Sequence, residues 1–384
     1  MEKKKLLFVI SRMTLGGAQK SMISAINNLD FDKYDVSLYI RENKITDIIN
    51  QIDRRAEIVI NDNKSDYTHS SAVLLMSLVN KLSGGKCNQK ITDYVVKKKT
   101  EYERKKFFSK GNEYDIAISY INGYTCKFVI DVINAKKKIL FFLGSSDPIP
   151  SLHKKYLPEF DAVVSDSKGT AAFVSGAYPE IASRMRVIEN YIDCDEIAEK
   201  SRAESFVKPD ILTLCTCGRM SQVKGFDMAV EAGLALKENG IEFKWIFVGD
   251  GPEREKIEKL IEKYSLEDNF ILVGSQTNPY PFIRSCDIYV QPSYEESYGL
   301  TITEAMMLHR VVVSTDTVGG REQITDGENG LLASVSPEGI SASLLALLSN
   351  KNKYNHISEV VSKKDYSENL VVFKDKWKRL LEEI

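Results

Sequence analysis

The chain has 384 residues, 43% hydrophobic, with 52 Lys or Arg against 54 Asp or Glu and a formal net charge of -2. At about 150 residues per domain this length predicts two or three domains with sizeable cores. The near-neutral balance excludes a global field that would recruit nucleic acid, and no apolar stretch approaches the ~20 residues needed to cross a bilayer.

In chain order, the first apolar run is 6–10, behind Lys3-Lys4-Lys5. It is too short for the apolar region of a signal peptide and reads as a buried strand. It leads into Ser11-Arg12-Met13-Thr14-Leu15-Gly16-Gly17-Ala18-Gln19 and a helix predicted over 18–29. Further strands are predicted at 36–40, 57–60, 116–119, 139–143, 162–165 and 187–190. The polar, charged stretch 193–209 then separates this set from a second one, at 211–216, 245–248, 270–273, 288–291, 311–315 and 331–333. Runs such as Leu-Leu-Phe-Val-Ile are apolar at every position, as strands covered on both faces are. Their alternation with helical patterns predicts an α/β chain of two doubly wound parallel-sheet domains, 1–195 and 205–365. A final helix, 367–384, is expected to pack back on the first.

Ligands of open parallel sheets bind outside the carboxyl ends of the strands, and the distinctive motifs sit at such ends. After 211–216 come Gly218, Arg219 and Lys224. Arg219 offers a planar fork and Lys224 a point charge, a pair suited to a diphosphate. After 288–291 comes Glu295-Glu296-Ser297-Tyr298-Gly299-Leu300-Thr301-Ile302-Thr303-Glu304. The Gly299-Leu300 step opens a helix, whose start presents free backbone N–H groups to anions. Glu296 and Glu304 repel phosphate and suit hydroxyl-rich groups on either side of one. A sugar at one end and a ribose at the other make this a candidate nucleotide-sugar site.

These residues carry a resemblance. Gly218-Arg219 with Lys224, Val248-Gly249-Asp250-Gly251-Pro252-Glu253-Arg254, and Pro292-Ser293 before the Glu-x7-Glu pair match the C-terminal domain of retaining glycosyltransferases of family 4. Gly319-Gly320-Arg321-Glu322 and the turn Asp326-Gly327-Glu328-Asn329-Gly330 complete the set. Five ordered motifs over about 120 residues are far more specific than any one of them. The first half resembles the family more loosely, through Gly16-Gly17 and through Val187-Ile188-Glu189-Asn190. The resemblance implies a GT-B architecture, two Rossmann-like domains facing across a cleft. It also implies transfer of a sugar from a nucleoside-diphosphate sugar, with retention of configuration, to a glycan or lipid-linked saccharide in bacterial surface-polysaccharide assembly.

The resemblance also distributes roles. Glu296 is expected to meet hydroxyls of the donor sugar and Glu304 those of the ribose. Ser297, Tyr298, Gly299 and Leu300 line the sugar and phosphate, with amides from Gly299 and Leu300. Val273 and Gly274 lie along the base, and Gly16 and Gly17 approach the diphosphate from the first domain. Arg219, Lys224 and Glu296 are the expected catalytic set, acting by charge and position with no nucleophile. Many family members carry a His after the strand at 139–143, where this chain reads Gly144-Ser145-Ser146-Asp147-Pro148. Asp147 is the candidate on the acceptor side, and equally an Asp-Pro turn. His309 stands where the family has Gly and reads as a surface turn residue.

No cofactor or metal is expected. With six cysteines, four histidines and no Cys-x-x-Cys pair, a zinc site has no ligand pattern. Asp193-Cys194-Asp195 and Asp30-Phe31-Asp32 match a metal-binding Asp-x-Asp only formally. Unpaired thiols fit a reducing, cytoplasmic setting. Residues 81–110 hold ten Lys or Arg against three Asp or Glu, which is either a solvated basic helix or a patch for an anionic inner leaflet. A UDP-sugar is the expected donor, with a GDP-sugar open. The alternatives are a non-catalytic accessory or glycan-binding subunit and a two-domain sugar-nucleotide epimerase.

Overall fold

A computed structural model describes residues 2–61, 113–144, 149–203 and 208–384. The basic segment 81–110 and Asp147 lie outside the described residues. Strands were expected at thirteen places, and among the described residues twelve occur there, while the one expected at 187–190 lies mostly before it. Within the first half, β1 (Lys4–Ile10), β2 (Tyr34–Ile40), β3 (Glu57–Ile60), β4 (Tyr114–Tyr120), β5 (Ala135–Phe142), β6 (Ala162–Ser165) and β7 (Met185–Val187) form one sheet. Its order is β3-β2-β1-β4-β5-β6-β7, with every pairing parallel. In the second half, β8 (Leu212–Cys217), β9 (Phe243–Val248), β10 (Phe270–Gly274), β11 (Ile288–Gln291), β12 (Val311–Thr315) and β13 (Leu331–Ala333) form the other. Its order is β10-β9-β8-β11-β12-β13, again parallel throughout.

The all-apolar strands are the reason for this layering. Along β1, Leu6, Phe8 and Ile10 enter one core while Leu7 and Val9 enter another on the opposite face. A strand read as continuously hydrophobic therefore feeds two helical layers at once. Strand order reverses between β1 and β4 in the first sheet and between β8 and β11 in the second. These reversals open the crevices where doubly wound sheets hold ligands.

Two local expectations shift. The stretch 193–209 is not wholly a linker, because helix Cys194–Lys200 lies inside it. Asp193 caps that helix, its carboxylate accepting from the Asp195 and Glu196 N–H groups at 3.0 Å, and Ile197 is buried in the second core. The strand expected at 187–190 ends at Val187, and Glu189 and Asn190 form a loop. Helix Asn369–Glu383 sends Phe373, Trp377, Leu380 and Leu381 into the core of the first sheet, where Trp377 stacks on Phe141 at 5.1 Å between centroids.

Candidate functional site

The second-sheet crevice is built from the loops after β8 and β11. After β8 the chain turns through Gly218 and Arg219 into a short turn, Gln222–Lys224, and then helix Phe226–Glu238. Its shape depends on the loop after β9. Gly249 has φ 144°, and a Cβ there would lie 1.8 Å from the Gly218 carbonyl oxygen. The Gly-Asp-Gly turn is therefore a floor under Arg219, which stays exposed. Gly249 N–H donates to the Gly274 carbonyl at 2.9 Å, so Val273 and Gly274 close the far side of the same floor.

The loop after β11 carries Glu296, 8% exposed. One of its oxygens, Oε2, accepts from Lys224 Nζ at 2.5 Å, Gln291 Nε2 at 3.2 Å and Ser293 Oγ at 3.3 Å. Gly299 follows at φ 82° as the residue before helix Leu300–Met307. A Cβ at Gly299 would lie 2.9 Å from Ile302 Cδ1 and 3.0 Å from Glu296 Cγ. Glycine is required there both for the left-handed turn and for the close approach of the glutamate. The Tyr298 and Gly299 carbonyls are tied by Gln323 Nε2, and Gly319 N–H donates to the Glu296 carbonyl at 2.8 Å. Burial pushes the Tyr298 hydroxyl up to about 12. Ser297 is half-buried beside it.

Across the cleft, Gly16 precedes helix Gly17–Asn27 and Gly17 opens it. A Cβ on Gly17 would sit 3.5 Å from Leu300 Cδ1, so the starts of the two helices meet. One turn further in, Lys20 Nζ reaches Glu304 Oε1 at 2.8 Å. Each helix leads with its positive end, and Lys224 reaches the same loop through Glu296. Glu304 is 2% exposed, and its Oε1 also accepts from Tyr280 OH at 3.2 Å, while Oε2 is buried with no hydrogen-bond partner.

Of the residues expected at the site, Lys224 is hydrogen-bonded to Glu296, Gly299 packs against Glu296, and Gly17 approaches Leu300, whose helix carries Glu304. Gly16, Ser297 and Tyr298 adjoin these in sequence, while Gly218 and Gly274 meet at the Gly249 turn, with Arg219 and Val273 next to them in the chain. His309 is an exposed turn residue at φ 58°. Asp30 spends its carboxylate on the Asp32 N–H at 3.1 Å, and Asp193 spends its own on a helix cap.

Sequence reasoning missed several residues. Lys20 is one. Glu322 is another: it accepts from the Lys168 and Gly169 N–H groups at 3.1 and 3.3 Å, at the start of helix Lys168–Ala177 in the first domain. Asp166, at the end of β6, is 6% exposed, with Oδ1 buried and unpartnered. Burial pushes its carboxyl up to about 7; the Asn190 hydrogen bond opposes this, and Glu296 and Glu322 reinforce it. Past β4, Ile121 holds φ 93°, a strained value for a β-branched residue, just before the exposed ring of Tyr124. Only Glu322 had a sequence signal, its place in the Gly-Gly-Arg-Glu motif.

Residues 197–364 match the family model of the glycosyl transferases group 1. That segment is similar to a group 1 glycosyltransferase domain. The lipopolysaccharide core biosynthesis glycosyltransferase LpsE of Rhizobium meliloti is 28% identical over 207 residues, which are 53% of this chain and 58% of that protein. The N-acetylgalactosamine-N,N'-diacetylbacillosaminyl-diphospho-undecaprenol 4-alpha-N-acetylgalactosaminyltransferase of Campylobacter jejuni is 26% identical over 194 residues, 49% of this chain and 52% of that protein. The matches thus span about half the length of these curated relatives. In three dimensions, HepE of Anabaena in complex with UDP and glucose superposes with TM-score 0.70 at 15% identity, over 99% of this chain and 100% of that one. Sucrose-phosphate synthase of Thermosynechococcus elongatus does so with TM-score 0.74 at 15% identity, over all of both chains. The fold of two parallel-sheet Rossmann-like domains is thus shared with these structures.

Proposed function

We propose that this protein transfers a sugar from a nucleoside-diphosphate sugar, a UDP-sugar first, to a saccharide or lipid-linked saccharide acceptor during bacterial surface-polysaccharide assembly. The observation that carries this reading is the meeting of helices Gly17–Asn27 and Leu300–Met307 at their positive ends, with Lys224 on the adjoining Glu296 and two buried glutamates flanking them. That arrangement favours an anion with hydroxyl-bearing groups on either side.

In the mechanism, transfer builds negative charge on the departing diphosphate and positive charge on the sugar ring. Arg219, Lys224 and the amides of Gly299 and Leu300 meet the first with preorganised donors, so the chemistry needs no metal. Glu296 holds the sugar hydroxyls and Glu304, through its unpartnered Oε2, a ribose hydroxyl. Configuration is retained by attack of the acceptor hydroxyl on the face the phosphate leaves. The first domain, with the strained Ile121 turn and Tyr124 at its strand reversal, receives the acceptor. The polysaccharide and undecaprenol-linked chemistries named for the bacterial relatives support such an acceptor. No described helix is long and apolar enough to cross a membrane, and action at the inner membrane face from the cytoplasm fits an acceptor carried on lipid.

A thermal-shift panel of UDP-, GDP- and ADP-sugars tests the reading. A donor at about 100 times its dissociation constant should stabilise the fold by ~2.7 kcal/mol. No shift with any nucleotide sugar would refute it in favour of a non-catalytic glycan-binding subunit.

A further inference from the structure

Glu304 is an unusual carboxylate. It is buried, it belongs to the second domain, and the cation that compensates it comes from the first. A buried carboxylate without a partner costs several kcal/mol or takes up a proton. Among the described residues of its own domain, the Glu304 side chain finds only the hydroxyl of Tyr280. Lys20 completes the pair from one turn inside helix Gly17–Asn27, at 2.8 Å from Oε1 and 3.4 Å from the same tyrosine oxygen. Its ammonium also lies 5.4 Å from the centroid of the Tyr280 ring. Burial alone would favour neutral Lys20, but Glu304 and Tyr280 outweigh it and hold the ammonium above its ordinary range. Beside this pair, burial pushes the Cys217 thiol up to about 12, so the thiol stays neutral and does not compete for the cation.

The two oxygens of Glu304 are thereby divided. Oε1 is taken by Lys20 and Tyr280, and Oε2 has no partner. We propose that Lys20 is a positioning residue of the nucleotide site: it clamps Glu304 through Oε1, presents Oε2 to the ribose, and makes nucleotide affinity depend on contact between the two domains. This rests on the ribose role of Glu304 proposed above. The geometry gives the coupling its sign. Lys20 and a ribose hydroxyl use different oxygens of one carboxylate, so they reinforce each other. Closing the domains brings the Lys20 ammonium to Oε1, compensating the buried carboxylate and fixing the direction of Oε2. Binding and closure are then linked, and each favours the other.

The test is a double-mutant cycle on the full chain, titrating UDP calorimetrically into wild type, Lys20→Met, Glu304→Gln and the double variant. Methionine keeps the length of the stem and removes the charge. Lys20→Met should weaken UDP binding about tenfold, and Glu304→Gln about ten- to a hundredfold. The double variant should bind no worse than Glu304→Gln alone, because Lys20 acts through the carboxylate. Lys20→Arg, which keeps the charge, should recover most of the affinity. In turnover assays the donor KM of Lys20→Met should rise more than its kcat falls. Unchanged affinity in Lys20→Met, or losses that multiply in the double variant, would overturn the clamp while leaving the ribose role of Glu304 standing. Tighter UDP binding by Lys20→Met would overturn it in the other direction, making Lys20 a competitor of the ribose. If Glu304→Gln alone leaves UDP affinity unchanged, the ribose assignment fails first and the clamp with it.

Discussion

Replacing Glu296 by glutamine separates holding the nucleotide from reacting with it. The substitution conserves volume, so the buried site acquires no cavity, and it removes one charge. In the wild type, Lys224, Gln291 and Ser293 all donate to Oε2 of Glu296, which leaves the other oxygen for the donor sugar. That contact should strengthen as the ring flattens and gains positive charge in the transition state. Loss of a charge-assisted hydrogen bond at that stage is worth about 1.5–3 kcal/mol, which lowers kcat roughly 10- to 150-fold. Ground-state nucleotide binding should behave oppositely. Lys224 is paired with Glu296 at 2.5 Å, and the neutral amide releases it toward the diphosphate, so UDP should bind at least as tightly as to wild type. Steady-state kinetics beside calorimetric titration with UDP measures both effects. If Glu296→Gln abolishes UDP binding while Glu304→Gln leaves it untouched, the roles of the two glutamates have been exchanged.

Three other outcomes are expected. The folded state favours protonated Asp166, held near 7 against an ordinary 3.8, so the stability this group contributes is full below pH ~4 and is lost as pH rises through ~7. Asp166→Asn should therefore gain about 2 kcal/mol over wild type on going from about pH 5.5 to about pH 8, read from paired urea titrations; a constant difference between the two proteins would place the carboxyl at an ordinary pKa. Transfer, or donor hydrolysis, should survive EDTA, since Arg219, Lys224 and two helix starts supply the positive charge. Arg219→Ala should lower kcat more than donor affinity; loss of activity in EDTA with rescue by manganese would defeat that mechanism.

The strands could be read from the sequence because their signal is local. A segment buried on both faces must be apolar at every position, and segments such as 162–165 and 288–291 carry their own boundaries in the flanking polar residues. Helix Cys194–Lys200 was hidden by the same criterion. Its residues are mostly charged, only Ile197 is buried, and its one clear signal is the cap, Asp193 with Glu196 three residues on. The strand at Met185–Val187 was misplaced because Ile188 is buried as strongly as a strand residue while lying past the end of the sheet.

The site divides along the same line. Lys224, Glu296 and Gly299 lie in short turns and Glu304 one turn into the helix that follows, so the candidate positions of the second domain were legible from their motifs and the family resemblance those carry. Lys20 and Asp166 have no such local reason, and Glu322 had only its place in the Gly-Gly-Arg-Glu motif. A lysine on a helix and an aspartate before Ser167 are ordinary surface choices in their own segments. Their environments arise only when the two sheets face each other, bringing Lys20 to Glu304 and the start of helix Lys168–Ala177 to Glu322. Each of these contacts joins a charge or dipole of one domain to a side chain of the other. Electrostatic interactions across a cleft are thus what local sequence patterns leave out. They are also the interactions that a bound anionic donor would alter most strongly, because it places charge between the same partners.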